Sequence, residues 1–71
     1  MKLRFSIQYS TKWGENVWVV VKAHVSTGVM KTYRLCLLTD DGEHWTAELA
    51  VMESRHSVFT FFEYEYQIRG G

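Results

Sequence analysis

From Val58 to Arg69 the chain puts Phe62, Tyr64, Tyr66 and Ile68 on one parity and Glu63, Glu65, Gln67 and Arg69 on the other. A side-chain period of two belongs to a pleated strand with one apolar and one wet face. The chain opens in the same way: Leu3, Phe5, Ile7 and Tyr9 alternate with Lys2, Arg4, Ser6, Gln8 and Ser10, which predicts a strand over 2–10. Asn16 to His24 is β-branched and aromatic, a composition that favours a strand over a helix. Its parity puts Val17, Val19 and Val21 on one face and Trp18, Val20 and Lys22 on the other, so Trp18 is either half-exposed or packed against a neighbouring strand. Met30 to Leu38 carries Tyr33, Leu35 and Leu37 on one parity and Arg34, Cys36 and Leu38 on the other, so this run is covered on two sides or changes sheet. Trp45, Ala47, Leu49 and Val51 against Thr46, Glu48 and Ala50 make a further amphipathic strand.

Between these runs lie the turn signals. Thr11 to Glu15 contains Trp13-Gly14, Ser26-Thr27-Gly28 is a turn or a strand switch, and Asp40-Asp41-Gly42 supplies the positive φ that a hairpin connection wants. Glu53 to Ser57 is a polar loop. There is no Pro, no internal repeat and no helical pattern. Five or six short strands with turns every ten residues or so predict an all-β sandwich or barrel, with a core of Phe5, Ile7, Val17, Val19, Trp45, Leu49, Phe62, Tyr64 and Tyr66.

Seventy-one residues allow one small domain. A chain of about this length buries only roughly 60% of the surface it exposes when unfolded. The usual staples of small domains are not evident. Cys36 is alone, so no intramolecular disulfide can form, and His24, His44 and His56 show none of the Cys/His spacings of a zinc site. Packing must come from three Trp, four Tyr, four Phe and the Val and Leu residues, or from a partner chain. Eight basic and eight acidic residues give zero formal net charge, which does not suit nucleic acid or an anionic membrane as partner. Met1 to Phe5 has charge but no apolar signal segment, and no run reaches the roughly 18 apolar residues of a spanning helix. With a free Cys, this points to the cytoplasm. The Gly70-Gly71 ending suggests an N-terminal domain of a longer protein.

No catalytic constellation emerges. There is no G-x-S-x-G elbow and no Gly-rich phosphate loop. Cys36, mid-strand in an apolar run, is expected to be a buried, inert thiol. Glu63 and Glu65 share a strand face, but a solvated face opposite Lys or Arg accounts for them better than a pair of catalytic carboxylates. Asp40 and Asp41 lack the further ligands of a calcium loop, and the three His are most simply polar surface residues. Trp13 is the residue with two open readings: a lid folded over one end of the core, or a flat platform for a ligand with an apolar face, such as a sugar ring.

Several segments occur in a telling order. They are Phe5-Ser6-Ile7, then Thr11-x-Trp13-Gly14-Glu15-Asn16-Val17-Trp18-Val19-Val20, then Trp45-Thr46-Ala47-Glu48-Leu49, then Phe62-Glu63-Tyr64-x-Tyr66-x-Ile68. This series resembles the starch-binding, family 20 carbohydrate-binding module over nearly the whole chain. The opening looks most like the copies at the N-terminus of cytoplasmic 4-alpha-glucanotransferases of the disproportionating-enzyme type. The resemblance implies an immunoglobulin-like β-sandwich of mostly antiparallel strands. It implies a non-catalytic module, without cofactor or metal, that holds α-1,4-glucan or maltooligosaccharide for an attached catalytic domain. Trp13 would be the sugar platform, with Thr11, Lys12, Glu15 and Asn16 flanking it as hydrogen-bonding groups. The family's second site is altered: Met30 stands where a Trp is expected, Glu65 replaces a Lys, and a later Trp would fall beyond Gly71. The family's last strand would be missing too, leaving a sheet edge open to self-association. The competing expectation is a structural or protein-interaction β-sandwich that has lost sugar binding.

Overall fold

The computed structural model describes residues 1–53, 55 and 58–70. The strands are β1 (Lys2–Gln8), β2 (Glu15–Val25), β3 (Met30–Cys36), β4 (Leu38–Thr39), β5 (His44–Ala50) and β6 (Phe59–Gly70). They form two three-stranded sheets, ordered β1-β5-β4 and β3-β2-β6, and every pairing is antiparallel. The protein is an all-β sandwich. No helix among the described residues is long and apolar enough to cross a membrane.

The central strands carry the most complete apolar faces, because each is flanked by strands on both sides. On β2, Val17, Val19, Val21, Ala23 and Val25 are all buried, and Trp45 is buried on β5. In register, Val19 lies between Leu35 and Tyr66, and Val21 between Tyr33 and Tyr64. In the other sheet Leu3 opposes Leu49, Phe5 opposes Ala47 and Ile7 opposes Trp45. Phe5, Val17, Val19, Val21, Leu37 and Trp45 form the core where the two sheets meet, with Ile7, Leu49, Phe62 and Tyr66 half-buried against it.

Leu37 explains how the chain passes between sheets. Its N–H still donates to the Val17 carbonyl at 2.9 Å, continuing the β2–β3 ladder, while the next residue, Leu38, already pairs with Thr46 of β5. The apolar run of Met30 to Leu38 therefore changes sheet, passing from β3 to β4 at Leu37, the largest fully buried side chain at 1% exposure. Leu38, on the other parity, is 76% exposed.

Three expectations need correction. Cys36 is exposed, not buried. The inward parity of β3 is that of Tyr33 and Leu35, so Cys36 falls on the outer face opposite Trp18. Tyr64 is 60% exposed, although its parity points inward. It lies on an edge strand, touching Phe5 edge-on at 5.6 Å between ring centroids, and among the described residues no strand lies beyond it. The first strand stops at Gln8, two residues early: the Tyr9 N–H still reaches the Glu43 carbonyl in the β1–β5 register, but the Glu43 N–H turns to Asp41 and Thr11 bonds out of register to Gly42, so the ladder ends there. Of the polar loop expected at 53–57, Ser54, His56 and Ser57 lie outside the described residues, as does Gly71.

Candidate functional site

Two turns meet at one end of the sandwich. The Asp41–His44 turn is built by a single carboxylate. Oδ1 of Asp41 accepts the backbone N–H groups of Glu43 and His44, each at 2.8 Å, and Oδ2 accepts Nδ1–H of His44 at 2.7 Å. The Thr39 hydroxyl donates to Asp41 Oδ1 at 3.2 Å and accepts the Gly42 N–H at 2.9 Å. Gly42 takes φ 76°, a left-handed conformation that suits glycine. The His44 backbone N–H, and then the His44 ring and Glu43 N–H, hold the Asp41 carboxyl well below the usual carboxylate range. The hydrogen bond that the His44 ring donates to Asp41 in turn raises His44 above its ordinary value.

This rigid turn anchors the segment that carries Trp13. Glu43 and Gly42 offer their carbonyls to the N–H groups of Tyr9 at 2.8 Å and Thr11 at 3.3 Å, and the Thr11 hydroxyl also donates to Gly42 O at 3.3 Å. From the core side, the buried Trp45 indole donates to the Tyr9 carbonyl at 3.1 Å. A tight turn follows. The Glu15 N–H donates to Lys12 O at 3.0 Å, and Gly14 at φ 85° fills the position that a type II turn reserves for positive φ. The Glu15 carboxylate closes the turn by accepting the Lys12 N–H at 2.6 Å.

Trp13 sits on this turn with 102% of its reference surface exposed. The lid reading therefore fails. The ring covers no part of the core and stands free in solvent. The expected flanking residues divide by job. Thr11 and Glu15 are half-buried and hold the turn, whereas Lys12 and Asn16 are exposed. Asn16 opposes Arg69 in the β2–β6 register, and the Arg69 guanidinium lies 5.9 Å from the Trp18 ring centroid. Trp18 is half-buried on that outer face.

Tyr9, which parity reasoning assigned to a buried strand face, is exposed at the same end. Parity alone could not show this, because the ladder ends here only when the Glu43 N–H turns to Asp41. Beside that turn a groove of about 370 Å³ is lined by Leu38, Thr39, Asp40, Asp41, His44 and Thr46, and Trp13 takes no part in it.

Catalytic geometry does not assemble from these groups. Asp41 and His44 form an acid–imidazole pair, but both serve the turn, and the nearby hydroxyl, Thr39, donates to the carboxylate and not to the ring. No group of three His, Cys, Asp or Glu among the described residues is placed to hold a metal ion. Comparison of the chain with family models, curated proteins and solved structures finds no match.

Proposed function

We propose that this protein is a non-catalytic α-glucan-binding module with Trp13 as its platform. The observation that carries the reading is the complete exposure of the Trp13 ring on a turn closed by hydrogen bonds on both sides. An aromatic face packs against the C–H face of a glucose ring, and neighbouring polar groups take the hydroxyls. Lys12 and Asn16 supply donors and an acceptor for that task, while Thr11 and Glu15 contribute chiefly by fixing the turn. A pre-ordered turn lowers the entropy lost on binding. One exposed ring still buries little area, so affinity for a maltooligosaccharide falls near Kd ~1 mM, corresponding to about −4 kcal/mol. Such a module works by keeping α-1,4-glucan near a glucan-processing enzyme to which it is attached, such as a cytoplasmic 4-alpha-glucanotransferase.

The test is an NMR titration with maltoheptaose and with β-cyclodextrin, on the wild-type chain and on Trp13→Ala. The expected result is a set of saturable shifts centred on the Trp13 indole and the Gly14 to Asn16 amides, absent in the variant. A folded wild-type chain without shifts at millimolar ligand would sink the reading. The competing reading, an interaction module without sugar binding, draws on a different feature, the free edge of β6.

A further inference from the structure

Among the described residues β6 is hydrogen-bonded on one side only, to β2, and at twelve residues it is the longest strand of the protein. A bulge at Thr60 interrupts the start of the strand, but from Phe61 to Gly70 the register is regular and carries no Pro, and the charges on this stretch are of both signs. Beside it, a groove of about 410 Å³ between β1 and β6 is lined by Leu3, Phe5, Phe62, Tyr64 and Tyr66, together with Arg4 and Ser6. Tyr64 borders this groove, largely uncovered.

We infer that this edge pairs with the same edge of a second copy, β6 antiparallel to β6, about a two-fold axis at Tyr66. The charge pattern of the strand selects both the partner and the register. Antiparallel pairing sets residues of the same sheet face opposite one another. Centred on Tyr66, the pairing puts Glu63 opposite Arg69 and Glu65 opposite Gln67 on the outer face, each twice by symmetry. On the inner face Tyr64 meets Ile68 and Phe62 meets Gly70. Sliding the register to centre on Glu65 sets that carboxylate against itself, and centring on Tyr64 sets Glu63 against Glu65. Centring on Gln67 avoids like charges but shortens the ladder.

The free edge of β1 is a weaker candidate. It is seven residues long against the twelve of β6. The Tyr66 register joins the two β3-β2-β6 sheets into one of six strands and brings the two grooves together across the axis. A symmetric contact of this kind closes at two copies, whereas β1 against β6 would propagate. The proposal stands apart from the glucan reading, since Trp13 is at the turn before β2 and takes no part in the ladder.

Sedimentation velocity over a concentration series tests it, with wild type, Glu63→Arg, Arg69→Glu and the double exchange, each checked for folding by circular dichroism. The wild type is expected to pass from monomer to dimer with rising concentration. Each single exchange sets like charges opposite one another twice and should weaken the dimer about tenfold. The double exchange should restore it. Hydrogen exchange should show β6 amides gaining protection with concentration. A chain that stays monomeric overturns the proposal, including the case in which this edge serves a strand of another protein. So does a dimer indifferent to the single exchanges, or a double exchange no better than either single.

Discussion

At the residue scale, the clearest electrostatic device is the Asp41–His44 pair, in which one carboxylate organises a whole turn. Both groups are on the surface, so solvent screens their attraction, and their interest lies in titration more than in stability. Asp41 is lowered from its ordinary 3.8, so its contribution is present above that value and is lost as pH falls toward its folded pKa. His44 is raised from 6.5, so its contribution is full below 6.5 and is lost as pH rises through the folded pKa. The turn is thus tightest between these two ordinary values. We expect the His44 imidazole, followed by NMR, to titrate above 6.5 in the wild type and to return toward that value in Asp41→Asn. A wild-type midpoint at or below the ordinary value would show that the pair does not form. The same contact reaches Trp13 indirectly, because the Gly42 carbonyl of this turn receives Thr11.

At the scale of elements, the fold depends on one crossing and on the turns that glycine permits. Leu37 fills the space where the chain leaves one sheet for the other and is buried in the core shared by both. Leu37→Ala should destabilise the domain by about 2–5 kcal/mol in a denaturant titration. A loss under about 1 kcal/mol would mean that the core closes around the gap. Gly14 presents a purer backbone case. A Cβ there would meet no atom within 4 Å, so only the left-handed φ of 85° resists substitution. Gly14→Ala should cost about 1 kcal/mol and disturb the orientation of Trp13, read as altered indole fluorescence with no change in β-sheet circular dichroism.

At the scale of the whole molecule, core and platform are separable. The core lies where two sheets meet, with Val17, Val19 and Val21 facing Phe5 and Trp45, and Trp13 touches none of it. Trp13→Ala should therefore leave stability within roughly 0.5 kcal/mol of wild type, and on the proposed reading it should abolish the shifts caused by maltoheptaose. A large fall in stability would mean that the ring is packed, contrary to its exposure. A module arranged in this way can lose or gain a ligand without rebuilding its interior, and the open edge of β6 gives it a second, independent surface.

Alternation alone determined the strands and most of the interior. Period two survives any tertiary arrangement, because a strand with one wet face must bury the other, and so Phe5, Val17, Val19 and Trp45 were legible as core from residue order. The glycine turns were legible for an equally local reason, the shortage of residues that accept positive φ. What parity cannot state is which strand lies at an edge and what covers its faces. That is decided by which sheet each strand joins. Sheet order made Tyr64 an exposed residue despite its inward parity, left Cys36 on an outer face, and turned the end of the third run into a separate strand pivoting on Leu37. Trp13 belongs with these. Trp-Gly in the sequence marked a turn, but only the anchoring of that turn to Gly42 and Glu43, residues distant along the chain, shows that its ring projects into solvent and does not fold back onto the core.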